Sequence, residues 1–461
     1  MHRKEKGSTT LFLCLLVSLI LSLIFSMSEV TRFIGLESTA KGVTDVVAES
    51  TFAEYNRILW NDYGILGLDA SYGAGQFLPG YMEQRMSTRI EDNCNAGIDK
   101  DVSFLRMTAA GCAVASYGIL TDCGGAPFIK ETAKAAMVQI PENVLNERLK
   151  NKSAIVLETN YDTVCAGAGS GQEAGLNVFQ GMSIINSVIP QGTSLSEETF
   201  SVAGSLSNRM LNEGTNENKV SASAMEKLLF QEYVLENFGC YTHDGKGRMQ
   251  YELEYILCGK ESDQANLEAT IKRLIAFRES QNLISLYKDA GRMAEATSLA
   301  TALAGASANP AVIEAVKVSI VAAWAYAESV LDARMLLNGG KISLSKNSAE
   351  WTSELFAIPS YGNTAIMARN CPNGMSYEDY LRTFFLLESK EKMALRALDM
   401  LETTIRSYDD YSEFQMDFVV YDANFEYTFE ASPIFASFIT IPVEKKDSYY
   451  YTTKKYLSYL D

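Results

Sequence analysis

One stretch limits every fold open to this chain: residues 9–27, the only long apolar run in it. Residues 11–27 read LFLCLLVSLILSLIFSM, with no charge and with Ser18, Ser22 and Ser26 as the only polar side chains. With Thr9 and Thr10 the run approaches the ~20 residues a helix needs to cross a bilayer core. Arg3, Lys4 and Lys6 stand before it against Glu5 alone. The positive-inside rule therefore keeps the N-terminus in the cytoplasm and sends the bulk of the chain outside. The run also exceeds the ~7–15 apolar residues of a secretory signal. An amphipathic pattern follows it directly, with Val30, Phe33, Ile34, Ala40, Val43 and Val47 set against Glu29, Arg32, Glu37, Lys41, Asp45 and Glu49. A continuous helix from bilayer to exterior stalk accounts for both features.

Within the run Thr10, Cys14, Ser18, Ser22 and Ser26 recur every four residues. Small or weakly polar side chains at that spacing let a second membrane helix approach closely. The period drifts by ~40° per step against a 3.6-residue turn, so one partner meets two or three of the five.

The expected class is α+β: a single transmembrane helix continuing into a stalk, then a largely helical extracytoplasmic domain with a small antiparallel sheet. Its parts are a basic tail (1–7), anchor (8–28), stalk helix (29–60), helical first part (61–159), flexible or variable insertion (160–222) and main α+β part (223–461). The insertion is placed by its Gly, Ser, Asn and Thr content, as in AGAGSGQEAG at 166–175. A helix is expected to close near Gly64, a second to occupy 101–120 with Cys112 and Val114 on its apolar side, and a third 129–138 after a turn at 121–127. Ser223 and Glu226 form a capping-box signature for a helix ending at Gly239. After a turn at 242–247, strict alternation predicts a half-buried strand at 250–255, with Tyr251, Leu253 and Tyr255 inward and Gln250, Glu252 and Glu254 outward. Leu267, Ile271, Leu274 and Ile275 mark the inner face of the next helix, with Arg273, Arg278 and Glu279 toward solvent. Asn309-Pro310 opens another and Gly339-Gly340 ends it; its apolar middle is too short for a second span. Helix continues over 376–406. A hairpin over 414–429 is expected to turn at 422–424, and the tyrosine-rich tail (Tyr449, Tyr450, Tyr451, Tyr456, Tyr459) to dock.

Chemistry is sparse. A net charge of −17 argues against nucleic-acid partners and against adhesion to anionic lipid. Two histidines, His2 and His243, leave little for histidine-based zinc or iron sites. The eight cysteines include no CxxC, and the seven beyond Cys14 are an odd number. Glu252 and Glu254 could approximate a glycosidase pair, but alternate acids on an amphipathic strand are far commoner. His243-Asp244 sits in a glycine-flanked turn with no nucleophile context. The glycines at 167–171 lack a phosphate-loop pattern. No catalytic residue, cofactor or metal site is assigned, and any small-molecule ligand is left open.

The N-terminus resembles the TadE/TadG-type pseudopilins of tight-adherence (Tad) pilus systems: basic Arg3/Lys4/Lys6, Gly7 before the apolar helix, and Glu29 followed by Arg32 at its outer end. The resemblance implies prepilin-like processing between Gly7 and Ser8, though Phe12 stands where pilin-like chains carry glutamate. The remainder is similar to an uncharacterised family of single-pass surface proteins from anaerobic Gram-positive bacteria. STFAEYNR (50–57), TDCGG (121–125), LLFQEY (228–233), YELEYILCGK (251–260), AWAYAES (323–329) and LLNGGK (336–341) carry it. It implies a family of unknown function whose members tend to accompany Tad-type genes, with no catalytic residues to transfer; the expectation drawn is an anchored, non-enzymatic surface protein with membrane or pilus-assembly proteins as partners. The alternatives are a ligand-binding or sensory ectodomain and, behind it, a surface hydrolase.

Overall fold

Helix α1 (Glu5–Phe52) is one unbroken element of 48 residues, about 72 Å at 1.5 Å per residue. The computed structural model describes residues 5–95, 105–145, 148, 183–189, 192–217, 219–307, 309–363, 365–435 and 448–460. The glycine-rich segment at 166–175 and Cys165 lie outside them. The first part of α1 is long and apolar enough to cross a membrane, and Leu11, Leu19 and Leu23 are each more than 60% exposed. From Glu29 the same helix buries one face: Glu29, Arg32, Leu36, Ala40, Thr44, Val47, Ala48 and Thr51, in the three-and-four steps of an amphipathic helix. The stalk is not one helix to residue 60. The chain turns after Phe52, and Asn56 caps α2 (Arg57–Tyr63) by accepting the N–H groups of Ile58 and Leu59. Gly64, at φ +68°, closes α2 as its position suggests.

Short strand β1 (Leu68–Asp69), helix α3 (Pro79–Asn95) and strand β2 (Met107–Ile119) come next. The helix expected over 101–120 is thus a strand. Its four alanines favour a helix, but eleven residues paired in a ladder with β3 (Val419–Ala431) override that preference. Strand β3 is central: β2 takes one edge, while β1 and β4 (Tyr449–Ser458) share the other. The hairpin over 414–429 is therefore absent, and its residues run straight through Asp422-Ala423-Asn424. Both neighbours hold them straight, Asp422 pairing with Gly118 and Ser458, and Asn424 with Ser116 and Tyr456. The tyrosine-rich tail docks as β4. Phe425, Tyr427 and Phe429 pack with Ala40, Val47 and Phe52 of α1 and Met82 and Met86 of α3. Val419 and Tyr421 belong to the second, larger core.

That core is helical: α4 (Asp122–Gln139), α5 (Ile184–Val188), α6 (Ala224–Asn237), α7 (Glu252–Cys258), α8 (Asp263–Lys288), α9 (Ala290–Ala304), α10 (Pro310–Leu337), α11 (Tyr377–Leu387) and α12 (Lys390–Ile405). The turn at 121–127 survives as three left-handed residues, Cys123, Gly124 and Gly125, inside the start of α4. The capping box of Ser223 and Glu226 opens α6, and Asn309 caps α10, whose buried residues begin at Val321. The second part of the expected insertion is fixed to this core. Leu206 is buried, and Arg209 makes a bidentate pair with Glu402 (2.6 and 2.7 Å) plus a 2.6 Å bond to Asp417.

Two expectations of exposure fail on α8. Its inner face holds Leu267, Ile271, Leu274 and Ile275, but Arg278 and Glu279 are buried too. The Arg278 guanidinium donates to Asp332 (2.9 Å), to the carbonyls of Ser343 and Leu344 (3.0 Å each) and to Tyr380 (2.9 Å). Lys346, also fully buried, donates to both Asp332 and Glu328. Helix α8 packs between α7 and α10, and Tyr380 of α11 reaches it, so the Arg278 guanidinium meets a carboxylate and carbonyls instead of water, whereas on Glu279 burial acts alone.

Candidate functional site at the anchor exit

Thr10, Cys14, Ser18, Ser22 and Ser26 are exposed on the apolar part of α1. Ser18 donates to the carbonyl of Leu15 (2.9 Å), which satisfies its hydroxyl within the helix. Gly7 and Ser8 lie in its first turns. These residues share one helix, and the five at four-residue spacing lie exposed along it.

Glu29 and Arg32 are different. Both are buried, and the fold converges on them. One Glu29 oxygen accepts from Arg32 (2.8 Å), and the other from the backbone N–H groups of Phe435 (2.8 Å) and Ile434 (3.3 Å). Arg32 also donates to the carbonyls of Ser432 (2.8 Å) and Leu105 (2.5 Å). One i, i+3 pair on α1 thereby ties down the segment leaving β3 and the segment entering β2. Phe25 stacks on Phe435 with centroids 6.0 Å apart. The sequence offers Glu29 and Arg32 only as exit charges; beyond each other, the partners named here lie 73 to 406 positions away.

Beyond this clasp, β4 runs along α1. Tyr449 meets Phe33 edge-on at 5.8 Å, Tyr451 donates to Glu37 (3.3 Å), Lys455 pairs with Asp45 (2.8 Å), and Tyr459 donates to the carbonyl of Phe52 (2.5 Å). These contacts advance together along both elements. The stalk half of α1 is thus a structural member of the sheet layer.

The residues weighed for catalysis lie elsewhere. The strand expected at 250–255 is the start of α7, and Glu252 and Glu254 are buried, not solvent-facing. Glu252 accepts from the N–H of Gly239 (2.9 Å), and Glu254 from the N–H of Tyr241 (3.0 Å) and the hydroxyl of Tyr377 (2.8 Å). Side chains at Gly239, Gly245 and Gly247 would collide with one another's backbone or with the Glu252 carboxylate. Alternation is the wrong period because, past the exposed Gln250, both faces of 251–255 are buried, one by apolar packing and one by this turn. His243 turns away from Asp244 and meets Cys240 (3.2 Å) and Glu378 (3.1 Å).

Burial pushes Glu252, Glu254, Glu279 and Asp399 up to about 7. Desolvation likewise raises Asp69, Asp122, Glu131 and Asp422. A carboxyl raised in the folded state binds more protons folded than unfolded. Its stabilisation is full below the unfolded value and is lost as pH rises through the folded one. Asp332, held low by Lys346 and Arg278, contributes only above the ordinary carboxylate range and is constant across that window. The melting temperature should therefore be higher at pH 5 than at pH 8, and a flat or rising profile across that interval would contradict the assignment. A carboxyl that binds its proton tenfold more tightly in the folded chain contributes about 1.4 kcal/mol, so several together give a difference of several degrees.

A model described as a family of unknown function, DUF5702, matches residues 174–431. The matched region starts before α5 and ends at Ala431, the last residue of β3. It takes in α5 to α12, the glycine-rich turn and β3, and leaves α1 to α4, β1, β2 and β4 outside. No curated protein and no solved structure matches the chain.

Proposed function

We propose that this chain, which belongs to the DUF5702 family of unknown function, is a membrane-anchored, outward-facing accessory protein of a tight-adherence-type pilus or secretion apparatus. The basic tail stays in the cytoplasm, the apolar half of α1 spans the membrane, and the body stands outside. Membrane or pilus-assembly proteins are its partners, met in the bilayer through Cys14, Ser18, Ser22 and Ser26. One observation carries this reading. Helix α1 passes without a break from a largely exposed apolar half to a half clamped by Glu29, Arg32 and β4. A flexible tether would leave the body free to turn; a rigid shaft gives it a fixed height and orientation relative to membrane partners.

The test is the N-terminal residue of the mature protein, by intact mass, from membranes and from sheared surface material. A start at Ser8, with the protein in the sheared fraction, is expected for a pseudopilin-like component. An intact N-terminus confined to membranes removes filament entry and favours the second reading, an anchored ligand-binding or sensory domain.

A further inference from the structure

The turn between α6 and α7 brings together three side chains that the anchor function does not use. Cys240 and His243 lie three residues apart and pair their backbones in both directions, Cys240 N–H to His243 C=O at 2.9 Å and the reverse at 3.1 Å. This tight turn puts both side chains on one side, where Glu378, in the first turn of α11, completes the group. The three ligand atoms lie within 4.8 Å of one another.

The imidazole is the informative member. Its Nε2 faces the carbonyl of Phe238 at 3.2 Å, and a carbonyl there requires an Nε2–H donor. Nδ1 then faces both the Cys240 sulfur (3.2 Å) and a Glu378 oxygen (3.1 Å). In a nucleophile–base–acid arrangement the thiol and the carboxylate would take opposite ring nitrogens. Here both take the same one, and a single N–H cannot point at two acceptors with good geometry. A cation at the point of convergence satisfies all three.

We propose that Cys240, His243 and Glu378 form a mononuclear binding site for a zinc-class divalent cation. A thiolate, an imidazole and a carboxylate make a ligand set suited to zinc. Bond lengths of about 2.0–2.3 Å in a tetrahedron separate ligand atoms by ~3.2–3.6 Å. The two Nδ1 separations, 3.2 Å to the sulfur and 3.1 Å to the oxygen, lie at and just below that range. Turning the Glu378 side chain, which is 45% exposed, brings its oxygen toward the sulfur. With three protein ligands the fourth position is open to water or to an incoming group. Cys240 is buried, while His243 is 34% exposed and leaves a path for the ion.

The surroundings are built to hold this group. Glu254 accepts from the N–H of Tyr241, beside Cys240, and from the hydroxyl of Tyr377, beside Glu378. One buried carboxylate thus fixes the turn to the helix that supplies the third ligand. Glu252 anchors Gly239 on the other side of Cys240. These two carboxylates, which by spacing could pass for a catalytic pair, are positioning residues for the turn. A count of two histidines discourages a metal reading, but one histidine suffices when cysteine and glutamate complete the set.

The test is titration of the full-length, detergent-solubilised protein, stripped with a chelator, with Co²⁺ and then Zn²⁺. One equivalent of Co²⁺ should give a thiolate charge-transfer band and the intense visible bands of four-coordinate cobalt, and Zn²⁺ should abolish both. Cys240→Ser and His243→Ala should lose the bands, while Cys258→Ser, whose sulfur meets the Thr270 hydroxyl at 3.3 Å, should keep them. Glu378→Gln, at an exposed position, should weaken Zn²⁺ at least tenfold with the circular dichroism unchanged. Absence of a charge-transfer band in the folded wild-type protein would overturn the proposal. So would bands that persist in Cys240→Ser or His243→Ala, or unaltered Zn²⁺ affinity in Glu378→Gln. Should either buried-site variant fail to fold, the Glu378→Gln result decides alone.

Discussion

Replacing Arg32 by alanine should release the body from its shaft. The side chain is buried against Glu29 and the carbonyls of Leu105 and Ser432. Its loss leaves the buried Glu29 carboxylate without its cation and removes the donor to the carbonyls of Leu105 and Ser432. Breaking a buried pair by removing one partner costs about 3–5 kcal/mol, because the remaining charge keeps its desolvation penalty. The loss should be local: residues 432–435 and the β4 edge should open while the helical core stays folded. Limited proteolysis of the full chain, with mapping of the first cuts, is the measurement. Early cleavage near Phe435 is expected in Arg32→Ala, and cleavage indistinguishable from wild type would refute the clasp. Arg32→Lys should recover only part of the protection, since an ammonium cannot reproduce the planar fork that reaches three oxygens at once.

Replacing Lys346 by methionine should be at least as damaging, and in the other core. The ammonium holds Glu328 and Asp332 together with no solvent on any of the three side chains. Arg278 still neutralises Asp332 at 2.9 Å, but Glu328 keeps only the N–H groups of Ser353 (2.7 Å) and Thr352 (3.1 Å). A carboxylate stranded in that interior keeps its desolvation penalty without its cation. A loss of about 3–5 kcal/mol is expected, read as a fall in denaturant midpoint at pH 7. Adding Glu328→Gln to Lys346→Met should restore part of the stability by removing the stranded charge. If the double variant is no more stable than the single one, the lysine acts through packing and the electrostatic account fails.

Much of the local structure is legible in the residues. Gly64 in the left-handed conformation, the capping box at Ser223 and Glu226, and Asn309 before Pro310 each depend on a few neighbouring backbone groups. The inner face of α8 at Leu267, Ile271, Leu274 and Ile275 also reads directly from its spacing. Failures cluster where a residue's environment comes from far away. Residues 107–119 form a strand because β3 lies beside them. Asp422-Ala-Asn424 continues a strand where its composition suggests a turn, because β2 and β4 grip both edges. Glu252, Glu254, Arg278 and Glu279 look like surface charges by type, yet the fold surrounds them. Residue type reports the cost of burying a charge and says nothing of a partner that offsets it.

The same division holds at the anchor. The sequence by itself determined a long apolar helix with an amphipathic continuation, since hydropathy and 3.6-residue spacing are properties of neighbours along the chain. It also placed Glu29 and Arg32 one turn apart at the end of the apolar run. Only the tertiary structure decided that this pair is a buried clasp and that β4 is laid along the stalk. It alone brought Cys240, His243 and Glu378 to a common point. Those arrangements depend on contacts across tens to hundreds of residues, where the cost of ordering the chain is met by the whole core and no short stretch carries the signal.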